Sequence, residues 1–447
     1  MRYDIRFLSS YPPRECGIGK FTANLATALE PLSETGKISV AAISNAKAPY
    51  TIPVDIVIDQ YNQQSWRSAN LDILRRADES GFPTVMIPQH EYGLDGMDAL
   101  GDNYVQMARE FSRRGHLTIT YLHTVLRNPN DHQKQVAQEL AQCSDGLVVT
   151  TESAINVLRE SYGISPSKIK HIDHGVRIRD VTATDREKVK DKYGLKNKLL
   201  VTTLGMLSPD KGLHYSIPAY ALFVENSLEG EQRDKVRYLI AGRFHRDFVG
   251  TEDGGPYREY VKMLNQIITD SGLRYSEVHA MSDADFENND IIFLNDFLEE
   301  ELLMEIYGAT NVMVLPYLNM EQISSGILAD TIGSGRIPIT TKFMYARELV
   351  GLDEYRECTI ICPRGVLVDP GEPSIRQIAE GLDTVLFNEP ERLEMEFSAR
   401  ARGYTMKWDT SAQELVYYIR FLTEERAIET GRGPKLTRQR ESTLRIK

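Results

Sequence analysis

One stretch of the chain, residues 311–348, combines residue types that suit an anion. An apolar run at residues 312–315 predicts a buried strand, and Ser324, Ser325 and Gly326 then open an apolar segment with helical spacing. Serine at a helix start accepts hydrogen bonds from free backbone N–H groups, and glycine lets a ligand approach the backbone closely. The N–H groups and the helix dipole both favour negative charge. The pattern predicts a phosphate site, with an ordinary capped turn between strand and helix as the alternative.

A lysine stands at a second junction between a predicted strand and a predicted helix. Residues 199–204 are apolar and indicate the strand, and helical spacing follows over residues 213–224. Lys211 and Gly212 lie between them, where a positive charge and free backbone N–H groups suit a phosphate. A lysine that only faces solvent is the alternative.

The first junction of the chain carries two glycines, Gly17 and Gly19, in a loop before a predicted helix at residues 21–32. This loop does not match a dinucleotide fingerprint. Thr22 stands where the third glycine belongs, and Asn45 stands where an acid would bind a ribose. We therefore favour a loop that faces phosphate or sugar over an NAD site.

Polar residues also follow two further predicted strands. Residues 84–87 lead into Gln89-His90-Glu91-Tyr92-Gly93, and residues 117–122 lead into His123-Thr124. Ligands of open α/β sheets sit at the carboxyl ends of the strands. His90 and His123 are therefore candidate site residues, and for each of them a satisfied structural histidine is the alternative.

The sequence contains no pattern of metal ligands. Its cysteines, Cys16, Cys143, Cys358 and Cys362, are scattered, and no His/Cys cluster has zinc spacing, which indicates reduced thiols. Asp283 and Asp285 fall in an acidic insertion, where we expect them to solvate a loop. We predict no metal and no resident cofactor.

Strands and helices alternate in both halves of the chain, which predicts mostly parallel sheets. With 447 residues the chain is too long for one core, so two domains are expected. A charged stretch at residues 179–198 interrupts the apolar rhythm and is taken as the linker plus a short helix. We set an N-terminal domain at residues 1–190, a C-terminal domain at 191–403, and C-terminal helices with a basic tail at 404–447.

Composition narrows the class of protein. A hydrophobic content of 41% and a charged content of 26% are ordinary for a soluble protein, and a net charge of −12 argues against nucleic acid as a partner. No apolar run reaches the ~20 residues of a membrane span, and the N-terminus lacks signal-peptide features. We expect a cytoplasmic protein. A basic tail leaves weak peripheral membrane contact open, through Arg432, Lys435, Arg438, Arg440, Arg445 and Lys447.

Several motifs occur in an order that is similar to one enzyme family. They are PPRECGIG at residues 12–19, QHEYG at 89–93, LSPDKG at 207–212, SSG at 324–326 and YARE at 345–348. Over nearly its whole length the chain resembles the GT-B glycosyltransferases, and more narrowly glycosyltransferase family 4, in the bacterial branch with the PPRECGI motif. The resemblance implies an α/β fold with two Rossmann-like domains facing a central cleft. It also implies C-terminal helices that cross back to the N-terminal domain.

The resemblance further implies roles for individual residues. Gly17 and Gly19 would face the donor phosphates and the acceptor, His123 would contact the transferred sugar, and Lys211 would hold the diphosphate. Gln322 would touch the sugar hydroxyls and Asp330 the ribose hydroxyls. The backbone amides of Ser324, Ser325 and Gly326 would cradle the diphosphate. We place the remaining motif residues on the acceptor side: Arg14, Glu15, His90, Glu91 and Tyr92.

Two positions depart from the family pattern. Met206 stands in the donor site where many members carry an arginine, so a positive charge is missing or comes from Arg243 or Arg14. Gln322 is neutral where a glutamate is usual, yet its amide still offers an acceptor and a donor to hydroxyls.

The resemblance implies transfer of a hexose from a nucleotide sugar to a hydroxyl of a sugar or glycan, with retention of configuration and without a metal. GDP-mannose is the preferred donor, ahead of UDP-sugars. One alternative is a sugar phosphorylase on the same fold, for which a ribose contact by Asp330 would have no meaning. The other is a family member that binds a sugar nucleotide without turnover, which Met206 and Gln322 motivate.

Overall fold

The computed structural model describes residues 1–45, 49–96, 100–178, 183–228, 230–244, 255–351 and 360–430. Its contacts divide the chain into an N-terminal unit of residues 1–175, 321–324 and 408–447, and a C-terminal unit of residues 176–320 and 325–407. The division after Gly175 comes earlier than the boundary that the sequence analysis set at residue 190. Cys358 and the basic tail after residue 430, with its proposed membrane contact, lie outside the described residues.

The N-terminal unit is built on a seven-stranded parallel sheet in the order β3-β2-β1-β4-β5-β6-β7. Its strands are β1 (Tyr3–Ser9), β2 (Thr35–Ser44), β3 (Val54–Asp59), β4 (Thr84–His90), β5 (Leu117–Leu122), β6 (Gly146–Val149) and β7 (Ile169–His171). Every residue of β4 and β5 is buried, as expected for parallel strands that helices cover on both faces.

In the described parts of the connections, five helices join these strands: α1 (Gly17–Leu29), α2 (Gln63–Glu79), α3 (Asp102–Arg113), α4 (Asp131–Cys143) and α5 (Glu152–Tyr162). Local side chains set several of their starts. Asn130 and Gln133 form a reciprocal capping box on α4, and the Thr151 side chain accepts a hydrogen bond from the Ala154 N–H on α5. Helix α1 begins four residues before the predicted start at Phe21, so Gly17 and Gly19 lie in its first turn.

The last described helix, α14 (Trp408–Thr430), belongs to the N-terminal unit, although it follows the C-terminal unit in sequence. Trp408 and Leu415 join Phe21 and Leu25 of α1 in one buried cluster. A Cβ atom on Gly175 would lie 2.1 Å from the Trp408 ring, so only glycine allows this contact. The C-terminal helix therefore completes the core of the N-terminal unit.

The C-terminal unit contains an eight-stranded sheet in the order β10-β11-β9-β8-β12-β13-β15-β14, parallel except for β14. Its strands are β8 (Leu199–Leu204), β9 (Val236–Ala241), β10 (Tyr275–Val278), β11 (Ile291–Leu294), β12 (Val312–Leu315), β13 (Ile337–Thr341), β14 (Ile360–Cys362) and β15 (Gly365–Val368). Sequence analysis missed β10, because this edge strand alternates exposed and half-buried residues and has no buried apolar run.

Among the described residues, eight helices cover this sheet and form two buried apolar clusters with it. They are α6 (Ala183–Lys192), α7 (Leu213–Ser227), α8 (Gly255–Asp270), α9 (Glu300–Ala309), α10 (Gly326–Gly333), α11 (Met344–Val350), α12 (Pro373–Phe387) and α13 (Glu389–Thr405). In the insertion, the Asp285 carboxylate accepts hydrogen bonds from the N–H groups of Glu287 and Asn288 and so closes a turn.

Two searches of the described residues bear on membranes and metals. No helix among them is both long enough and apolar enough to cross a bilayer. No group of three or more His, Cys, Asp or Glu side chains among them stands close enough to hold a metal ion.

Candidate functional site

The carboxyl edge of the C-terminal sheet gathers most of the predicted phosphate-binding residues. Strands β9, β8 and β12 are neighbours in the sheet. Their carboxyl ends lead into Arg243, into the loop that carries Lys211, and into Pro316 and Tyr317. Ligands of open α/β sheets bind at such edges.

Glycines let the loops after these strands approach one another along their backbones. Gly242 and Gly212 have φ angles of +142° and +67°, which favour glycine. A Cβ atom on Gly242 would lie 1.8 Å from the Gly205 carbonyl oxygen, and one on Gly212 would lie 2.1 Å from the Pro316 carbonyl oxygen. The Leu318 N–H also donates a hydrogen bond to the loop, at Asp210 O over 2.9 Å. The Lys211 loop is therefore held on both sides.

Lys211 ends a short 3₁₀ turn, Pro209–Lys211, and points its ammonium group over an aromatic ring. Its Nζ lies 3.8 Å from the ring centre of Tyr317, which is buried and stacks on Phe343. No carboxylate oxygen of the described residues lies within 4.0 Å of this Nζ. A positive charge held by a ring rather than by an acid stays available to an anionic ligand.

Met206, which replaces the arginine of the family pattern, and Arg243, a candidate substitute for it, differ in the charge that they can provide. Met206 is half-buried in the same loop and carries no charge. The Arg243 guanidinium pairs with the Asp296 carboxylate over 3.2 Å, and both side chains are substantially exposed. Arg243 therefore shares its charge with an acid, which leaves Lys211 as the stronger cation at this edge.

Helix α10 begins at the predicted anion site. Ser325 is its N-cap, and the Ser325 Oγ accepts a hydrogen bond from the Leu328 N–H over 3.3 Å. In the described part of the chain no acceptor lies within hydrogen-bond distance of the Gly326 or Ile327 N–H. These two donors and the positive end of the helix dipole suit an anion.

The residues just before α10 group with the other unit. Residues 321–324 belong to the N-terminal unit, where the Thr150 hydroxyl donates a hydrogen bond to the Ile323 carbonyl over 2.8 Å. The Gln322 Nε2 donates to the Ser324 carbonyl over 2.6 Å, so its Oε1 is the atom left to accept a hydroxyl. Gln322 and Ser324 thus lie in one unit, and Ser325, Gly326 and Asp330 in the other.

Asp330 lies one turn along α10 from the helix start and is half-buried. Its charge acts on Arg177: burial lowers the pKa of the Arg177 guanidinium, and Asp330 opposes that shift. Arg177 also forms an ion pair with Glu300. The Asp330 carboxylate therefore lies near the Arg177 cation.

In the N-terminal unit, β4 continues through Gln89 to His90, beyond the predicted strand end at residue 87. His90 is buried like the other residues of this strand. Its ring is fully buried between those of Tyr92 and Tyr104, with centroids 4.8 and 5.4 Å away. Burial lowers the pKa of His90 to about 3. Contrary to its predicted acceptor-side position, His90 is a core residue with no surface for a ligand in this conformation.

His123 follows β5 and remains partly exposed. Its Nε2 lies 2.7 Å from the amide oxygen of Gln89, and the edge of its ring meets Phe21 at a centroid distance of 5.0 Å. Burial, with smaller contributions from His174 and His90, lowers the pKa of His123 to about 3. The imidazole is therefore neutral at physiological pH.

Glu91 directly follows His90 in the sequence, and the pKa of its carboxyl group is raised. The Thr124 hydroxyl donates a hydrogen bond to the Glu91 carboxyl over 2.6 Å. Burial raises the pKa of this carboxyl to about 7, although the Thr124 and Tyr92 hydrogen bonds act in the opposite direction. Glu91 thus changes its charge close to neutral pH. The neighbouring Tyr92 hydroxyl donates to the Gln133 carbonyl over 2.9 Å.

The loop after β1 holds the remaining predicted residues. Gly17 is exposed and has no atom within 4 Å of an added Cβ, whereas a Cβ on Gly19 would lie 3.3 Å from the Tyr11 backbone. Arg14 is half-buried and donates to the Ile43 carbonyl over 3.1 Å, and Glu15 is half-buried beside it. Only Gly17 therefore offers an open backbone.

Some features of the site are not visible in the sequence motifs. Tyr317 follows the Pro316 that ends β12, and an aromatic residue at that strand end is the one signal that could have found it. The Ser9 and Thr22 hydroxyls pair over 2.7 Å beneath the start of α1. No sequence pattern predicts this buried hydrogen bond, because its two partners are thirteen positions apart.

Comparison with known proteins identifies the fold. Residues 185–402 match the model of the family glycosyl transferases group 1. The structure is similar to that of Anabaena HepE (Alr3699) in complex with UDP, with a TM-score of 0.68 and 17% identity over 94% of this chain and 100% of that chain. The fold is that of a GT-B glycosyltransferase.

Other GT-B enzymes are similar to the same extent. Sucrose-phosphate synthase of Thermosynechococcus elongatus has a TM-score of 0.68 and 14% identity over 95% of this chain and 100% of that chain. A UDP-forming trehalose-phosphate synthase of Burkholderia xenovorans, in complex with glucose-6-phosphate, has a TM-score of 0.63 and 12% identity over 94% of this chain and 99% of that chain. None of the curated proteins matches this chain in sequence. The predicted GT-B fold class is therefore confirmed.

Proposed function

We propose that this protein transfers a hexose from a nucleoside diphosphate sugar to a hydroxyl group of a sugar or sugar phosphate. The observation that carries the proposal is Lys211, a cation at the carboxyl edge of the C-terminal sheet that rests on Tyr317 without an acid partner. The family match over residues 185–402 supports the same reaction class.

Breaking a sugar–phosphate bond develops positive charge on the sugar and negative charge on the leaving diphosphate. The Lys211 ammonium and the Gly326 and Ile327 N–H groups at the start of α10 would stabilise the diphosphate. Removing one such fixed donor typically costs roughly 3–4 kcal/mol of transition-state stabilisation. This charge stabilisation is the main catalytic contribution that we assign to the C-terminal unit.

We propose retention of configuration without a metal ion. The bond between the anomeric carbon and the β-phosphate oxygen breaks, and its electron pair stays on that oxygen. The acceptor oxygen forms the new bond on the same face of the sugar and passes its proton to the departing phosphate oxygen. His123 and Gln322 would hold sugar hydroxyls, and Asp330 would hold those of the ribose.

The proposal extends to the nucleotide of the sugar donor. Sequence analysis preferred GDP-mannose, whereas similar structures were solved with UDP, with UDP-glucose or as UDP-forming enzymes. We therefore propose a UDP-hexose, with UDP-glucose as the first donor to test. For the acceptor side we propose the exposed backbone of Gly17 and the side chains of Arg14, Glu15, Glu91 and Tyr92.

The test combines binding and turnover. Thermal shifts with UDP, GDP and inorganic phosphate identify the ligand class, and release of nucleoside diphosphate from UDP-glucose or GDP-mannose, with sugar-phosphate acceptors, measures transfer. Proton NMR of the product reports its anomeric configuration, and added EDTA tests the need for a metal. Stabilisation by phosphate alone, with phosphorolysis and no nucleotide effect, would instead identify a phosphorylase. Nucleotide binding with no turnover for any donor would identify a non-catalytic binder.

A further inference from the structure

Gln89, at the end of β4, pairs with the partly exposed His123, which directly follows the neighbouring strand β5. The Gln89 side chain is fully buried, and its Oε1 lies 2.7 Å from the His123 Nε2. The His123 backbone N–H also donates to the His90 carbonyl over 3.0 Å, which fixes the chain at that point. Phe21 meets the imidazole edge-on, with planes 84° apart. Backbone, ring contact and amide together fix the orientation of the imidazole.

The chemistry of the amide oxygen then decides which ring nitrogen carries the proton. An amide oxygen only accepts hydrogen bonds, so the His123 Nε2 must donate. With its pKa lowered to about 3 by burial, the ring carries one proton and no charge at neutral pH. The Nδ1 atom is therefore left as a pure acceptor, which can receive a hydrogen bond from a hydroxyl but cannot give one.

We propose that Gln89 is a positioning residue that holds His123 in the Nε2–H tautomer, so that Nδ1 accepts a hydrogen bond from one hydroxyl of the transferred sugar. The sugar contact rests on the proposed function, whereas the tautomer does not. The geometry makes the site selective for a hydrogen-bond donor. A sugar with hydrogen or fluorine in place of that hydroxyl gives Nδ1 nothing to accept.

The tautomer is read directly by NMR on the full chain labelled with ¹⁵N-histidine. The His123 signals are assigned from the spectrum of a His123→Phe variant. We expect a protonated Nε2 and an unprotonated Nδ1 in the wild type at pH 7. A protonated Nδ1 would overturn the proposal, whatever the activity of the enzyme.

Two variants of Gln89 separate positioning from packing. Gln89→Glu keeps an acceptor beside Nε2 and should keep Nε2 protonated. Gln89→Leu removes the acceptor and should give a mixture of tautomers and lower kcat roughly tenfold, the effect of one neutral hydrogen bond. Should Gln89→Leu fail to fold, the wild-type spectrum still decides, because a protonated Nδ1 there would refute the proposed polarity of the bond.

A matched control removes a different buried hydrogen bond, made by a residue of β5, the strand that His123 follows. The hydroxyl of Thr120, on β5, lies 2.8 Å from the hydroxyl of Ser144, which follows α4. Thr120→Val should lower stability without changing the His123 signals. Equal loss of the tautomer in Thr120→Val and Gln89→Leu would mean that general packing, and not Gln89, sets it.

A donor series then tests the sugar contact. With UDP-glucose analogues, the deoxy and the deoxyfluoro sugar should lose binding affinity, measured as Kd by isothermal titration calorimetry, equally at one ring position, because fluorine cannot donate a hydrogen bond. At the other positions fluorine should recover part of the loss. A fluoro sugar that is tolerated at every position would refute the contact. If no donor is turned over at all, the proposed function fails while the NMR result still stands or falls by itself.

Discussion

The Lys211 ammonium lies 3.8 Å above the centre of the Tyr317 ring, and the two residues come from loops that follow adjacent strands of one sheet. Tyr317 is buried and stacked on Phe343, so packing holds the ring in place beneath Lys211. A cation above an aromatic face keeps its charge, whereas an acidic partner would neutralise it. This pair is the feature that distinguishes the site from an ordinary sheet edge.

Replacing the ring tests its part in binding the diphosphate. Tyr317→Phe keeps the aromatic face and should bind UDP within twofold of wild type. Tyr317→Leu removes the cation–π contact, worth roughly 0.5–2 kcal/mol, and should weaken UDP binding by about three- to thirtyfold. Isothermal titration calorimetry measures both. Equal affinity of the Leu and Phe variants would show that the ring does not orient Lys211.

The contact between Gly242 and Gly205 predicts a large difference between two glycine substitutions in the C-terminal unit. Gly242→Ala puts a methyl group 1.8 Å from a carbonyl oxygen at a positive φ, so the loop must move and the melting temperature should fall by several degrees. Gly255→Ala, at the start of α8, meets no atom within 4 Å and should change the melting temperature by less than a degree or two. Similar melting temperatures for the two variants would contradict the close approach of the loops.

Glu91 predicts a pH effect on stability with a definite sign. Its folded pKa of about 7 lies above its ordinary value of 4.5, so between these values the native state binds more protons than the unfolded state. The Glu91 contribution therefore falls as pH rises through that window, by up to roughly 3 kcal/mol. The buried histidines act with the opposite sign below their ordinary pKa, so the wild-type profile alone does not isolate this effect.

The difference between Glu91→Gln and wild type does isolate it. Urea unfolding at pH 5, 6 and 7.5 should show the variant gaining stability relative to wild type as pH rises. A constant difference across this range would mean that Glu91 titrates normally. Thr124→Val removes a hydrogen bond that favours the charged carboxyl, and it should move the Glu91 titration to higher pH.

Much of the C-terminal sheet edge could be predicted from the sequence because its signals are local. The apolar run of β12 (Val312–Leu315), the Ser325 cap and the start of α10 lie within fifteen residues of one another. Lys211 and Gly212 likewise mark the turn between β8 and α7 by residue type alone. Capping and strand ends depend on neighbouring residues, which a single sequence displays.

The features that escaped the sequence depend on tertiary contacts. Nothing in residues 89 and 90 themselves shows that both side chains are buried, since that depends on how far β4 extends. The grouping of residues 321–324 with the N-terminal unit follows from a bond between Thr150 and Ile323, which are 173 positions apart. The start of α1 was placed too late because glycines in a first helical turn resemble a loop.

The most direct test of the account is the binding of UDP and the turnover of UDP-glucose by Lys211→Ala, beside the solvent-facing control Lys262→Ala. We expect Lys211→Ala to bind UDP at least tenfold more weakly and to lose at least a hundredfold in kcat, with an unchanged melting temperature without ligand. The Lys262 variant should match wild type in all three measurements. Wild-type affinity and turnover in a folded Lys211→Ala variant would contradict the account.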